Sequence, residues 1–246
     1  WSKGYKTGGW TTRLTNPQGN VAPDFNEEKA TTWEAGVKSS LLDRHLQLNA
    51  ALFSTQYRDI QLNIQVGTSP TISNAGDARI RGFELEMVAA PVNGLTINGS
   101  IGYIDAQYTS VSPATAAVGG ASPLQAGTLV GEDLPKTPKW KINISPRYEA
   151  RLANGGSLVL LADWTHSSSA WNDTQRTYLL RRVASDIVNA SISYREPDGH
   201  WSLTAGGTNL TDKRFLTSGG SNIAAGAIFG TYNRPREWYL RFGFDF

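Results

Sequence analysis

Long stretches of alternating apolar and polar residues recur along the chain, and they restrict its fold to one built from β-strands. The last of them, EWYLRFGFDF at residues 237–246, places large apolar side chains at every second position: Trp238, Leu240, Phe242, Phe244 and Phe246. Side chains with a period of two lie on one face of a strand. No amphipathic helical pattern of similar length accompanies them, so the sequence predicts an all-β protein.

The predicted strands occur in pairs, and the connections alternate between short and long. Short turns lie at residues 41–45, 91–94, 152–156 and 196–200, and three of them contain the Asn-Gly or Asp-Gly signal of a tight hairpin. The longer connections are rich in Gly, Ser, Thr, Asn and Pro and cover residues 7–29, 67–76, 109–137, 167–182 and 211–234. This alternation is typical of outer-membrane barrels, which have short periplasmic turns and long extracellular loops.

The two faces of the predicted strands differ in chemistry. In residues 140–149 one face carries Trp140, Ile142, Ile144, Pro146 and Tyr148, whereas the other carries Lys141, Asn143, Ser145, Arg147 and Glu149. Aromatic residues concentrate at strand ends, as in the girdles of membrane barrels; they are Trp33, Tyr103, Trp140, Tyr148, Trp164, Tyr194, Trp201 and Trp238. We therefore predict an antiparallel transmembrane β-barrel segment whose apolar face meets lipid. The lumen then receives the charged residues Glu34, Lys38, Glu84, Glu86, Lys141, Arg147 and Glu149.

Composition excludes several other classes of protein. The chain of 246 residues has no cysteine, which excludes disulfides, thiolate nucleophiles and cysteine-ligated metals. It has no apolar run of about 18 residues, so no transmembrane helix is expected. The net charge of +2 and the scattered cations do not indicate nucleic-acid binding. Since alternation alone does not separate lipid from a protein core, a soluble β-sandwich binding module stays open as an alternative.

Several stretches, taken in order, resemble the C-terminal half of a TonB-dependent outer-membrane receptor of the siderophore-receptor type. They are SKGYKTGGW (2–10), NEEKATTWEAGVKSSLLDRHLQLNAALFSTQYRDIQ (26–61), NAGDARIRGFELEM (74–87), PVNGLTINGSIGYIDAQY (91–108) and NLTDKRF (209–215). The segment at Asn26 lacks the family's usual proline, and Phe215 replaces the usual tyrosine. The resemblance covers residues 1–246 and implies about ten strands of a barrel of about 22.

The resemblance also implies a function, a location and partners. A receptor of this kind lies in the outer membrane of Gram-negative bacteria and takes up a scarce ligand, here expected to be a ferric siderophore or another iron complex. Its partners would be a plug domain and the N-terminal half of the barrel, the TonB energy-coupling complex, the barrel assembly machinery and membrane lipid. No cofactor and no metal site are expected. A stand-alone small barrel acting as a pore, protease or adhesin is the alternative from another class.

Candidate ligand contacts come from two of the long loops. We expect them where arginine or asparagine accompanies aromatic residues: Trp171, Arg176, Tyr178, Arg181 and Arg182 in one loop, and Phe229, Tyr232, Asn233 and Arg234 in the other. Guanidinium and aromatic groups suit an anionic, partly aromatic iron chelate. The alternative is that these residues cap strand ends, contact lipopolysaccharide or only solvate a loop.

The terminal Phe246, with the alternating aromatics before it, resembles the signal that the assembly machinery reads. We expect deletion of Phe246 to impair membrane assembly without affecting ligand contacts.

Catalysis is not expected, because the three histidines form no recognisable site. His45 and His200 fall in short turns, and only His166 lies toward the outer side, near Asp163 and Asp173. Asp163 precedes His166 by three positions on one strand, so their side chains point to opposite faces. An unpaired histidine supports neither a catalytic dyad nor a metal site.

Overall fold

The computed structural model describes residues 1–11, 24–66, 69–118 and 122–244. Phe246 lies outside the described residues, and its role in assembly therefore stays a prediction.

Strands make up most of the described chain. In chain order they are β1 (Ser2–Lys6), β2 (Gly9–Trp10), β3 (Asp24–Phe25), β4 (Glu28–Leu41), β5 (Leu46–Arg58), β6 (Gln61–Val66), β7 (Ser69–Asn74), β8 (Gly76–Val92), β9 (Leu95–Val111), β10 (Trp140–Arg151), β11 (Ser157–Ser167), β12 (Ala170–Trp171), β13 (Arg181–Arg182), β14 (Ser185–Arg195), β15 (Trp201–Thr208), β16 (Leu216–Asn222), β17 (Ala227–Tyr232) and β18 (Glu237–Phe244). A short helix α1 (Pro113–Val118) and two 3₁₀ turns (Tyr178–Leu180 and Ile223–Ala225) are the helical elements of the described part.

Ten of these strands form one antiparallel sheet, which confirms the predicted fold class. Their order is β1-β4-β5-β8-β9-β10-β11-β14-β15-β18. Each strand therefore pairs with the strands that precede and follow it among these ten. Within the described residues β1 and β18 do not pair with each other. A closed barrel of ten strands needs that pairing, and this disfavours the stand-alone small barrel.

Connections at the two ends of the sheet differ as predicted. At one end, the short-turn end, residues 42–45, 93–94, 152–156 and 196–200 join neighbouring strands. Gly94 and Gly155 have φ angles of 83° and 87° there, which glycine adopts without the steric cost of a Cβ atom. At the other end, the long-loop end, the strands are joined by residues 7–27, 59–75, 112–139, 168–184 and 209–236.

Several strand boundaries differ from the prediction, and the loops predicted over 67–76, 167–182 and 211–234 contain the short strands β7, β12, β13, β16 and β17. In the sequence, residues 46–62 read as one alternating strand, but β5 ends at Arg58 because Asp59 has a φ of 54°. Asp77 holds this bend by accepting a hydrogen bond of 3.0 Å from the Asp59 amide. The chain then forms the separate hairpin β6–β7, so much of the loop predicted over 67–76 is strand.

The hydrogen-bond register confirms the predicted faces. Phe242 lies opposite Leu203, and Leu240 lies opposite Ala205, which in turn lies opposite Ile192. This apolar face is uncovered among the described residues: Leu240 is 72% exposed and Phe242 is 65% exposed. A β-sandwich would cover such a face with a second sheet, so the structure disfavours the soluble alternative.

Two aromatic clusters mark the limits of the apolar face. Near the long-loop end, the Tyr103 ring lies 5.9 Å from Phe83 and 4.8 Å from Trp140. Near the short-turn end, Trp201 lies 5.4 Å from Tyr194 and 6.2 Å from Phe242. Trp140 and Tyr148 are separated by about 26 Å of strand at about 3.3 Å per residue. With a tilt of about 40° this is about 20 Å of height, comparable with the apolar band of membrane barrels.

The buried residues lie at the long-loop end of the sheet. Among the described residues, they do not form a layer packed on either of its faces. The apolar ones are Ile60, Ile64, Ala75, Ala78, Ala106, Tyr108, Leu180 and Phe215. Within the described part of the chain, no helix is both long and apolar enough to cross a membrane.

Candidate functional site

Three of the long loops are joined by one polar network around Asp173. Its carboxylate accepts hydrogen bonds from the amide and hydroxyl of Thr177, at 2.9 and 2.5 Å, and from the Ser221 hydroxyl at 3.2 Å. The Gln125 amide donates to the same two hydroxyls, at 3.2 Å to Thr177 and 3.0 Å to Ser221. Since Gln125, Asp173 and Ser221 come from three loops, the network makes one layer of residues 122–139, 168–184 and 209–236, here called the outer-loop layer.

Backbone bonds strengthen the connection between the first two of these loops. The amide of Ala126 donates to the carbonyl of Arg176 at 3.1 Å, and the amide of Tyr178 donates to the carbonyl of Leu124 at 3.0 Å. The Arg176 guanidinium also forms an ion pair of 2.9 Å with Glu132. The two loops therefore behave as one unit.

Four of the predicted ligand contacts meet at Trp171. The guanidinium carbons of Arg176 and Arg181 lie 4.9 and 5.5 Å from the centre of its ring, and the Tyr178 ring lies 6.0 Å away at 67°. Arg176 is only 13% exposed and is neutralised by Glu132, so it supports the loops. Arg181 is exposed and can approach a ligand from outside.

Arg182, the fifth candidate in this loop, lies beside a cavity on the inner face of the sheet. The cavity has a volume of about 820 Å³. Its charged lining residues are Lys136, Lys141, Arg182, Glu84 and Glu86, three cations against two carboxylates. The Arg182 guanidinium lies 4.6 Å from the centre of the Phe215 ring. Its Nε atom is buried and has no acceptor among the described residues.

Desolvation lowers the pKa of Arg182 from its ordinary value. A guanidinium stays protonated in proteins even when burial lowers its pKa, so the group remains charged. It is therefore a partly desolvated cation on the inner side, a suitable contact for an anion.

The candidates in the second loop have separate positions. Phe229 and Tyr232 are exposed on β17, and the Arg214 guanidinium lies 5.3 Å from the Tyr232 ring. Asn233 accepts a hydrogen bond from the Phe215 amide and donates to the carbonyls of Lys213 and Arg234, so its side chain holds the backbone. Within the described residues, no ring or cation–π contact joins this group to Trp171.

Sequence reasoning missed the residues that assemble the loops and also the partner of His166. The His166 ring lies 2.9 Å from the Asp186 carboxylate, across the pair β11–β14. No local pattern could show this partner, because the two residues are joined only by strand pairing. In the described part of the chain, no group of three or more His, Cys, Asp or Glu side chains could hold a metal ion.

The fold, its two faces and its long loops define the wall of an outer-membrane β-barrel. Residues 1–210 match the family model described as TonB dependent receptor-like, beta-barrel. The chain belongs to this family and is an outer-membrane barrel segment.

Similar proteins agree with this assignment. PiuA of Acinetobacter baumannii, named a probable TonB-dependent siderophore receptor, is 24% identical over 193 residues, which cover 78% of this chain and 24% of PiuA. The catecholate siderophore receptor Fiu of Escherichia coli is 28% identical over 135 residues, 52% of this chain and 15% of Fiu. These relatives are named as receptors and not as enzymes.

A solved structure shows the same fold along the whole chain. The ferric yersiniabactin uptake receptor FyuA of Yersinia pestis aligns with a TM-score of 0.77 and 22% identity, covering 100% of this chain and 34% of that one. The chain thus spans about a third or less of the proteins that it matches.

Proposed function

We propose that the complete protein containing this chain takes up a scarce ligand across the outer membrane by TonB-coupled transport. The proposed ligand is a ferric siderophore or another iron complex, supported by family membership and by the receptors PiuA and Fiu. Residues 1–246 would form the C-terminal part of the barrel. The proposed partners are a plug domain, the remaining barrel strands and the TonB complex.

The observation that carries the proposal is the position of the Arg182 guanidinium, 4.6 Å from the centre of the Phe215 ring. A ferric chelate offers negative oxygen atoms and, in catecholates, aromatic rings. The guanidinium can donate charge-assisted hydrogen bonds to the oxygens, while Phe215 supports it from the other side. A second pair of an arginine and an aromatic ring, Arg181 and Trp171, lies on the outer-loop layer. We place the first contact at Arg181 and the inner contact at Arg182.

Iron uptake by the complete protein tests both parts of the proposal. A bacterial strain without other receptors for the chelate would express it, and uptake of radioactive iron supplied as a ferric catecholate would be measured. We expect saturable uptake that is lost when TonB is deleted. Uptake that is unchanged without TonB would contradict the transport proposal.

Substitutions at Arg182 test the binding site separately. Since hydrogen bonds to charged groups contribute about 1.5–3 kcal/mol, Arg182→Gln should weaken chelate binding by about tenfold or more. Arg182→Lys should restore part of the affinity, because it keeps the charge. Arg151→Gln, exposed at the short-turn end, is the matched control. Equal affinities of the Arg182→Gln and Arg151→Gln variants would exclude Arg182 from the site while leaving TonB-coupled uptake open.

A further inference from the structure

Four exposed cations lie on two chain segments that meet where β15 and β18 reach the outer-loop layer: Lys213, Arg214, Arg234 and Arg236. Two asparagines bring their chain segments together. The Asn209 amide nitrogen donates to the carbonyls of Lys213 and Arg234, at 2.9 and 3.1 Å. The Asn233 amide nitrogen donates to the same two carbonyls, at 2.8 and 2.9 Å. These bonds hold the two backbone segments side by side, which places the four cations, here called the cationic cluster, in one region of the surface.

The cluster keeps a positive balance after its neighbouring acids are counted. Asp212 accepts a hydrogen bond from the Arg236 amide at 3.0 Å, and Glu237 lies 4.0 Å from Arg234. Asp186 is also near, since its carbonyl accepts a hydrogen bond of 2.9 Å from the Thr211 hydroxyl, so four cations and three carboxylates leave a net charge of +1. Arg234 is 88% exposed in its side chain, so this charge faces the surroundings.

An apolar groove of about 700 Å³ adjoins the cluster on the outward face of β14, β15 and β18. Ala190, Ala205 and Gly207 form its floor, and Ile192, Trp238 and Leu240 are among its borders. The floor is low because Gly207 has no side chain: a Cβ atom there would lie 2.6 Å from Leu210 and 2.8 Å from Trp238. Leu210 and Trp238 line the groove and link it to the cluster along the chain. Leu210 lies three residues before Lys213, and Trp238 lies two residues after Arg236.

We propose that the groove and the cluster together bind an anionic lipid of the outer leaflet. The acyl chain lies in the groove, and the phosphate of the headgroup is held by Lys213, Arg214, Arg234 and Arg236. The positive charge of the cluster favours a phosphate group. The apolar groove, which is on the lipid-facing side of the sheet, favours an acyl chain within the membrane. The site lies on the face opposite the Arg182 cavity and does not depend on the proposed transport function.

Lipid titration of the complete protein tests this site. The protein, purified in a neutral detergent, would be titrated at low salt with phosphatidic acid, with phosphatidylcholine and with inorganic phosphate, and bound molecules would be counted by native mass spectrometry. We expect phosphatidic acid to bind more tightly than the other two.

Two pairs of variants separate the headgroup from the acyl chain. The double variant Lys213→Gln/Arg236→Gln should weaken phosphatidic acid binding by about fivefold for each charge removed. Ala205→Phe should fill the groove and weaken lipid binding without changing phosphate binding. The matched controls are Arg44→Gln/Arg151→Gln at the short-turn end and Ala89→Phe on the same outward face, which should change neither. None of the substituted residues belongs to the set proposed for the chelate, and Arg234, which the sequence predicted as a chelate contact, is left unchanged.

Two results would overturn the proposal. If the cationic double variant weakens phosphate and lipid equally and Ala205→Phe has no effect, the cluster is a site for free anions. If the double variant binds phosphatidic acid like its control, there is no lipid site.

Discussion

Ile144 and Ser145 are neighbours on β10, yet their side chains are on opposite faces of the sheet. Ile144 is exposed on the apolar face, opposite Gly99 and Trp164. Ser145 is on the inner face, where Asn143 and Asp163 form a hydrogen bond of 2.7 Å. The two positions have nearly the same depth in the membrane and differ in what they face.

Arginine at these two positions should therefore have unequal effects. Ile144→Arg should lower the free energy of unfolding by about 2–4 kcal/mol, because it places a charge in lipid near the midplane. Ser145→Arg should cost little, since it comes close to the Asp163 carboxylate in a polar environment. Denaturant unfolding of the complete protein in lipid vesicles measures both. Similar losses for the two variants would count against lipid contact on the Ile144 face.

Among the loop elements, Asp173 is the charged acceptor of the network that joins three loops into one layer. Its carboxylate binds Thr177 and Ser221, and Ser221 is 48 residues away in sequence. Without this acceptor, the Thr177 and Ser221 hydroxyls lose their common partner, and only the Gln125 amide still bonds to both. The hairpin β16–β17 would then be attached through the neutral bonds of Ser221 to Gln125 and Thr177, through Leu180, which packs against Gly219, and through Asn172.

Asp173→Ala should release the outer-loop layer without unfolding the sheet. We expect the free energy of local opening to fall by about 2–4 kcal/mol, because a charged acceptor with three hydrogen bonds is removed. Hydrogen exchange of the Gly127 and Tyr178 amides in the complete protein reports this opening. Asp198→Ala, exposed in a short turn, is the control. Unchanged exchange at Gly127 and Tyr178 would mean that backbone bonds alone hold the loops together.

At the scale of the whole molecule, the ten-stranded sheet has two unpaired edges within the described residues, β1 and β18. Exposed edge groups in lipid cost several kcal/mol each, and open edges pair readily with other chains. A sheet of this kind is stable only when further strands continue it.

The isolated chain should therefore associate when it is refolded in detergent. Size-exclusion chromatography with light scattering should show oligomers for the isolated chain and a discrete particle for the complete protein. A stable monomer of the isolated chain would indicate that β1 and β18 can close on each other, and the small-barrel hypothesis would return.

The alternating pattern and the turn signals were enough to predict the strands of the ten-stranded sheet, their pairing order and the chemistry of their two faces, but not the end of β5 or the hairpins in the loops. This information is local: a period of two fixes the faces of residues 140–149, and the glycine turns fix which strands are neighbours. Family motifs such as residues 209–215 added the class of protein, and the family match confirmed it. Trp171, Arg176, Tyr178 and Arg181 could be proposed as a site because they are close in sequence.

Contacts between residues far apart in sequence became visible only in the folded chain. Asp59 ends β5 early through a contact with Asp77, and Asp186 becomes the partner of His166 by strand pairing. Lys213 and Arg234 converge because Asn209 and Asn233 bind both carbonyls. Asn233 was predicted as a ligand contact, yet its amide is occupied by the backbone. Such contacts join segments many residues apart and leave no periodic signal, since they depend on how the loops fold over the end of the sheet.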